Sequence, residues 1–318
     1  MTNPIPRVLR RVDEVQRRHK GLAFTVAVFK KFGEDDAGSK AALIAYYGFF
    51  SLFPLLLVFT TVLAFILSGH TALQGKILHS TLRQFPIIGD QISQNIRSLQ
   101  GSGIALVIGI LTTLWAGMGV TQAGENAMNA VWNVPARKLP NALHSRARGL
   151  LLLVVFGAGG LATTFLAGFA TSGSGAWLKV AAILVAALIN LAMFLVAFRT
   201  LTAEKVSWQD VLPGALVATV VWEMLQAIGG WYVARSLRGA SQVYGFFAIV
   251  IGLLGWLYLG AQMTLLAAEF NVVLKRRLWP RSLVQPPLTI KDKEVLRLLA
   301  KMEERRDEEE IVVHFKDR

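Results

Sequence analysis

Six long apolar stretches determine what this 318-residue chain can fold into. A helix needs about 20 mostly apolar residues to cross the hydrocarbon core of a membrane. Six segments satisfy this requirement: 41–67, 103–123, 149–171, 180–199, 211–234 and 243–274. The alternating strands of a membrane barrel are absent from the sequence, so helices are predicted. The expected fold class is therefore all-α, a polytopic membrane protein with six transmembrane helices and additional amphipathic interfacial helices.

The charge of the chain supports a membrane setting and gives an orientation. Only 17% of residues are charged, against about 25% in soluble domains, which argues against an ordinary soluble enzyme. Of the 33 lysines and arginines, 27 lie before the first span, in the second and fourth loops or after the last span, and 6 lie on the other side. Cytoplasmic loops are enriched in Lys and Arg. Both termini are therefore predicted to be cytoplasmic, in a bacterial cytoplasmic (inner) membrane.

The chain divides into three predicted regions, 1–40, 41–277 and 278–318. The first is basic, and residues 7–32 are either an amphipathic helix on anionic lipid headgroups or a simple positive cluster that fixes topology. The second is the six-helix domain, with an external helical hairpin predicted at 70–100. The third contains a helix of mixed charge, for which a solvated tail is favoured over a partner-binding helix.

One face of the fifth span carries polar and small residues at helical spacing: Thr219, Glu223, Gln226 and Gly230. Glu223 lies near the predicted bilayer midplane, where a lone charged carboxylate is strongly disfavoured. We expect it to be protonated or paired, with Asn190 and Gln262 as candidate partners. It is either a proton-coupling or substrate-binding carboxylate, or a structural acid that joins helices.

Two further groups of span residues are candidates. In the first span, Tyr47 and Pro54 share a face, and a proline kink borders binding cavities in some membrane helices but also occurs without function. Four residues are candidates for a cytoplasmic vestibule: Glu125, Asn126, Arg199 and Glu269. The first two could equally mark where a long helix leaves the membrane. For Glu269 a structural pair with Arg199 is favoured.

Several classes of chemistry have no support in the sequence. The chain has no cysteine, which excludes disulfides, Cys-ligated zinc and thiol nucleophiles. Its five histidines form none of the usual metal-binding motifs, and no nucleotide-binding glycine motif occurs. We therefore expect no metal, no cofactor, no catalytic residue and no nucleic-acid partner. The expected partners are membrane lipids, with a second copy of the chain or envelope proteins as further candidates.

Four segments of the chain are distinctive in their order: AALIAYYGFFSLFPLLLV, LWAGMGVTQAGENAMNAVWNV, WQDVLPGALVATVVWEMLQ and VYGFFAIVIGLLGWLYLGAQMTLLAAEFN. They resemble the motif blocks of the YihY/BrkB family of bacterial inner-membrane proteins over about residues 25–277. The resemblance implies six helices with both ends in the cytoplasm. It also implies links to serum resistance and to export of lipidic envelope precursors, while an older family label names a tRNA-processing ribonuclease BN.

The resemblance also assigns individual positions. The family's fifth-span glutamate falls on Glu223, its sixth-span acid on Glu269, and the Tyr–Gly before the sixth span on Tyr244 and Gly245. Many members have an aromatic–Leu–Pro sequence at the end of the fourth span, where residues 198–202 here read FRTLT. This chain therefore lacks that proline.

Three functional hypotheses follow. The favoured one is a non-enzymatic membrane transporter of an amphipathic or lipid-like anion, for which proton coupling is one option. The second is a membrane scaffold or envelope-assembly factor that acts through partner proteins. The third, a tRNA-processing ribonuclease, lacks any visible metal-ligand motif.

Overall fold

Long helices cover the apolar stretches in a computed structural model of the chain, which describes residues 5–66, 103–171, 175–244 and 246–316. Two shorter helices come first, α1 (Ile5–Arg18) and α2 (Lys20–Glu34). The long helices are α3 (Ala37–Ile66), α4 (Gly103–Val131), α5 (Ala142–Thr171), α6 (Ala176–Thr200), α7 (Trp208–Tyr244) and α8 (Phe246–Arg276). A short 3-10 helix (Ala136–Lys138) and helix α9 (Ile290–Lys301) complete the described elements. No strand occurs in these ranges, so the all-α prediction is confirmed for them.

Five helices are long and apolar enough to cross a membrane within the described part of the chain. They contain the segments Val107–Val131, Ala142–Thr163, Ala176–Thr200, Trp208–Gly229 and Val250–Arg276. The remaining predicted span falls on α3, which is 30 residues long, and it stays a prediction. The predicted hairpin at 70–100 and Gly245 lie outside the described residues.

Some helices run well beyond the predicted spans. Helix α7 continues to Tyr244 rather than ending at residue 234, and α4 continues to Val131 rather than residue 123. Hydropathy marks where a helix crosses lipid, but backbone hydrogen bonding continues into polar sequence until a turn residue stops it. At the end of α4 this residue is Asn133, whose φ of 49° ends the helical conformation.

The six long helices form a ring. Each packs against the next in sequence, from α3 to α8, and α8 returns to pack against α3. A smaller contact joins α4 and α8 across the ring. Helix α2 is not part of the ring and packs on α8. Neighbouring helices joined in this order surround a common axis. The side chains along this axis therefore determine whether the bundle is closed or can hold a ligand.

The buried core occupies one end of this ring, which we call the closed end. It is built from the start of α3 and α7, the end of α4, α6 and α8, helix α2 and the tail, with members such as Ala41, Met128, Val211, Leu265 and Val272. On α8, eight residues between Ala261 and Val273 are buried, whereas none of the residues of Phe247–Gly260 whose burial is described is buried. We call the latter end the loose half.

The closest backbone approach described at the closed end joins α7 and α8 at Gly214. A Cβ atom built there would lie 2.1 Å from the carbonyl oxygen of Ala267. The Gly214 N–H donates to Asn271 Oδ1 at 2.6 Å, and Asn271 Nδ2 donates to the Val211 carbonyl at 3.2 Å. Pro213 interrupts the helical ladder here, and the Asn271 side chain supplies hydrogen bonds from the neighbouring helix.

Candidate functional site

A polar pair connects α6 and α7 within their membrane-spanning segments. Asn190 Nδ2 donates a hydrogen bond to Glu223 Oε1 at 2.7 Å, and both residues are half-buried. The structure therefore brings together Glu223 and one of its two expected amide partners. Because the carboxylate accepts from an amide rather than an ammonium or guanidinium group, the pair leaves any negative charge on Glu223 unneutralised.

The burial of the polar face of α7 decreases along the helix. Thr219 is buried and donates to the Ala215 carbonyl at 2.8 Å, Glu223 is half-buried one turn later, and Gln226 is exposed. The burial of this face therefore decreases from Thr219 to Gln226, with Glu223 between them. A side chain at such a position can be held by one helix and still be reached by a ligand or by water.

The other candidates of this group are not joined to the pair. Gln262 is half-buried on α8, and among the described contacts it makes none with Glu223. Tyr47 on α3 packs at Gly119 of α4, where an added Cβ would meet its ring at 2.6 Å. Pro54 lies within α3, but its side chain is outside the described residues.

A fully buried charge cluster lies at the closed end. Lys31 of α2 pairs with Asp35 and lies 3.1 Å from Glu269 Oε2 on α8, and all three side chains have 0% exposure. Lys31 also donates to the Val131 carbonyl at 2.6 Å, at the end of α4. The cluster thus joins three elements around one ammonium group.

The two carboxylates of this cluster are satisfied unequally. Asp35 accepts from Lys31 and, at 3.1 Å, from Asn133 Nδ2. Neither oxygen of Glu269 meets a donor with hydrogen-bond geometry within the described chain, so its link to Lys31 is an ion pair without a directed hydrogen bond. The indole nitrogen of Trp132 is also buried without a described partner.

The four vestibule candidates do not form one site. Glu125 is buried and accepts from Ser145 of α5, while Asn126 is exposed. The expected pair of Glu269 with Arg199 is wrong, because Glu269 pairs with Lys31. Arg199 is exposed instead and stacks 4.3 Å from the centre of the Trp208 ring, where its charge stays in contact with solvent.

The tail is docked rather than solvated, which corrects the favoured expectation for it. Asp292 in the first turn of α9 has 0% exposure and accepts from Lys30 at 2.8 Å and from Arg281 Nε at 2.7 Å. The same buried Arg281 donates to both oxygens of Glu34 at 2.8 Å. We call Lys30, Glu34, Arg281 and Asp292 the tail clamp, because it fixes α9 to α2.

A second contact ties α1 to the tail. Asp13 accepts from the Leu283 N–H at 2.8 Å, and Gln16 donates to the Arg281 carbonyl at 2.7 Å. Residues 7–32 therefore form two helices that are interrupted at His19, and one face of α1 packs on protein. The two helices expose four large apolar side chains, Val12, Val15, Leu22 and Phe29. Their contact with lipid stays a prediction.

The tail contacts lower the pKa of two carboxyl groups, Asp292 and Asp13. Burial alone would raise the pKa of Asp292, but hydrogen bonds from Lys30, Arg281 and Thr289 outweigh it and lower the pKa far below 3.8. Burial likewise opposes a lowered pKa at Asp13, where hydrogen bonds from Leu283, Gln16 and Arg17 prevail. Both carboxylates are therefore ionised in the docked state at neutral pH.

The sequence did not predict the buried ionic roles of three residues, Lys31, Asp35 and Arg281. Lys31 belongs to a basic segment that reads as a solvated positive cluster, and Arg281 follows the last span in an equally basic tail. One available signal was the i,i+4 spacing of Lys31 and Asp35, which places opposite charges on one helical face. Their burial depends on α4 and α8, which local spacing does not report.

Metal binding has no structural candidate in the described ranges. Within them, no group of three or more His, Asp or Glu side chains comes together to hold a metal ion. The polar groups that do converge are the Asn190–Glu223 pair, the Lys31–Asp35–Glu269 cluster and the tail clamp.

Comparison with known proteins agrees with a membrane protein. The family model described as virulence factor BrkB matches residues 28–287. The putative ribonuclease-like protein YfkH of Bacillus subtilis is 26% identical, over 80% of this chain and 96% of its own length. The UPF0761 membrane protein Smlt0865 of Stenotrophomonas maltophilia is 25% identical, over 82% of this chain and 62% of its own.

A third relative, the UPF0761 membrane protein RSc1559 of Ralstonia nicotianae, is 28% identical over 79% of this chain and 59% of its own length. The chain thus spans nearly all of the Bacillus relative but about three fifths of these UPF0761 relatives. No solved structure matches the chain. The match of the family model over most of the sequence confirms the resemblance, and the chain belongs to the BrkB virulence-factor family of membrane proteins.

Proposed function

We propose that the protein is a non-enzymatic transporter of a bacterial cytoplasmic membrane that moves an amphipathic or lipid-like anion. The observation that carries this proposal is the Asn190–Glu223 hydrogen bond, 2.7 Å long and half-buried, between the buried Thr219 and the exposed Gln226 of α7. Polar groups are retained in membrane spans mainly where they contact protein, water or a substrate. A pair with a free carboxylate oxygen offers a donor or acceptor to a polar headgroup.

The apolar surroundings of the pair support a lipid-like substrate. Leu188 on α6 and Met224 and Ile228 on α7 are 64%, 59% and 59% exposed, close in sequence to the pair. A ligand with an acyl chain can cover such side chains while its headgroup meets the polar pair. The ring arrangement, in which the core formed by the described residues lies at one end, supports a path that opens toward the other end.

The basic segments support an anionic substrate and a cytoplasmic orientation of both termini. The 27 basic residues on one side of the spans attract anionic headgroups to that side. The exposed apolar side chains of α1 and α2 lie among the basic residues Arg11, Arg18 and Lys20. This combination supports contact of both helices with an anionic lipid surface.

Transport is tested with purified protein in liposomes that contain a fluorescent anionic lipid or organic anion. We expect E223Q, which keeps the side-chain shape and removes the charge, to lower the rate about ten-fold or more, whereas E303Q on the exposed tail leaves it unchanged. If the wild-type protein moves neither probe, the transport proposal fails.

Water access to the pair is tested by single-cysteine labelling, which needs no background removal because the chain lacks cysteine. Variants T219C and Q226C differ in burial on the same helical face. We expect a water-soluble maleimide to modify Q226C and to leave T219C unmodified. Equal resistance of both positions would place this face against lipid and remove the proposed path.

A scaffold is the second candidate, favoured by one observation on the tail. Ile290 begins the docked helix α9 and is 84% exposed, so an apolar side chain is held at the surface by a fixed element. The variant I290S leaves the contacts of Asp292 in place. Loss of the cellular phenotype in I290S with normal transport would favour the scaffold.

The ribonuclease alternative has a direct test. Chelator-sensitive cleavage of tRNA by the purified chain would support it and would contradict the proposed absence of enzymatic activity. We expect no cleavage.

A further inference from the structure

We propose that Lys31, Asp35 and Glu269 form a proton-binding site, in which Glu269 takes up and releases one proton. The site would supply the coupling ion of the proposed transport. Only this coupling role rests on the proposed function. The binding itself is a property of the closed end and is measurable without any substrate.

The first argument is the charge balance of the cluster. Two carboxylates surround one ammonium group, and all three side chains have 0% exposure. With both acids ionised, the cluster would carry an uncompensated negative charge that is shielded from water. Such a charge is strongly disfavoured, and a buried site relieves it by binding a proton.

The second argument identifies the acid that binds it. Asp35 accepts hydrogen bonds from Lys31 and from Asn133, so its oxygens are already engaged. Glu269 is equally buried, and neither of its oxygens accepts a hydrogen bond within the described chain. A protonated Glu269 can donate to the adjacent Asp35 carboxylate, with which it shares Lys31.

The surrounding cations do not neutralise Glu269. Lys40 at the start of α3 donates to the main-chain oxygen of Asp35 at 2.7 Å. Arg276 of α8 donates to the Trp132 carbonyl at 2.8 Å and to Glu204 at 3.0 Å. Lys275 lies 5.3 Å from the centre of the Trp132 ring and pairs with Asp210 at 2.8 Å. Lys31 therefore remains the one described cation in contact with Glu269.

The site lies close to the protein surface, which gives the proton a short path. Gly33 and Asp36, on either side of the α2 end that carries Asp35, are both exposed. The connection between α2 and α3 is therefore in contact with solvent within two residues of Asp35. A proton that enters at this connection reaches the carboxyl pair from the Asp35 side.

Infrared difference spectroscopy during a pH titration of the protein in lipid detects the site. We expect a protonated-carboxyl C=O band that is lost in E269Q and retained in E125Q, which removes another buried glutamate. The spectrum needs no substrate, so its result stands whether or not transport is observed. E223Q removes another acid of the spans and should retain this band. A spectrum in which E269Q loses no band, or in which E223Q loses the same band, overturns the proposal.

Two further variants keep the test decisive if E269Q folds poorly. In K31M the carboxylates lose their ammonium, so the titration midpoint of the band should move to higher pH by about one unit or more. In D35N the second negative charge is removed and Lys31 pairs with Glu269 alone, so the midpoint should move to lower pH by a similar amount. Unmoved midpoints, or shifts in the same direction, contradict the site.

Discussion

Residues at the closed end are fixed by contacts that leave no room for additional atoms. Gly214 is the sharpest case, because its missing Cβ allows the Ala267 carbonyl and the Asn271 side chain to approach. Arg281 is a second case, since its fully buried guanidinium serves two carboxylates on different elements. The sequence predicted neither role, since Gly214 lies inside an apolar span and Arg281 in the basic tail. Gly214 meets Asn271, 57 residues away, and Arg281 joins Asp292, 11 residues away, to Glu34, 247 residues away.

The variant G214A should destabilise the protein by about 1–3 kcal/mol, because its methyl group meets backbone that cannot rotate away. Thermal unfolding in detergent measures the change. The matched control is G157A on α5, where an added Cβ meets nothing within 4 Å. There we expect a change of less than about 1 kcal/mol, and equal effects at the two positions would contradict the close approach.

The variant R281M should release α9 from α2, since Asp292 and Glu34 would lose their shared guanidinium. Removal of one partner from a buried ion pair costs about 3–5 kcal/mol. Limited proteolysis of the segment after residue 282 measures the release. R305M is the control, because Arg305 is 77% exposed and its loss should leave the cleavage rate unchanged. A tail equally resistant in both variants would show that the clamp does not hold it.

The long helices were the feature of this fold most easily predicted from the sequence. Apolar stretches long enough to cross lipid report helices directly, since unpaired backbone groups are not tolerated there. What hydropathy could not report is how α1, α2 and α9 associate, because their contacts are made by polar residues that read as solvated. The Glu223–Asn190 pair was accessible because a lone acid in a span demands a partner, whereas the Lys31 cluster was hidden in a basic segment.

Docking of α9 should depend on pH. The pKa of Asp292 and of Asp13 is lowered in the docked state, so the undocked state binds more protons as the pH falls. Docking is therefore complete at neutral pH and is lost progressively as the pH falls below 3.8 and toward the lowered values. Spin labels at R10C and R297C report the distance between α1 and α9 during an acid titration.

The control for this titration is D292N, which removes the charge that Lys30 and Arg281 bind. We expect a long label distance in D292N already at neutral pH, and wild-type behaviour in D307N, whose side chain is 90% exposed in the native protein. A distance that stays short in acid would mean that apolar contacts such as Val295 hold α9 without the ion pairs.

At the scale of the whole molecule, the ring has two unlike ends. The closed end contains the described core, the buried charge cluster and the tail contacts, and it coincides with the side that carries 27 of the 33 basic residues. The loose half has sparse burial along α8. Within the described residues, the polar contacts between the tail, α2 and α8 are therefore concentrated at the closed end.

The orientation of this ring is tested by labelling from each side of the membrane. In intact spheroplasts, an impermeant maleimide should modify K179C, at the exposed start of α6, and should leave H144C unmodified. Inverted vesicles should give the opposite result. Modification of H144C from outside would reverse the assignment of both termini to the cytoplasm.

The tail clamp also bears on how the chain is made. Lys30 leaves the ribosome 262 residues before Asp292, its partner at 2.8 Å, and Lys31 likewise precedes Glu269 of the last long helix. During synthesis these two ammonium groups must stay hydrated, so α2 reaches its final place only after α8 has been inserted. In a chain interrupted before that point, Lys30 lacks Asp292 and Lys31 lacks Glu269, so the two ammonium groups can pair only with Glu34 and Asp35 one turn further along.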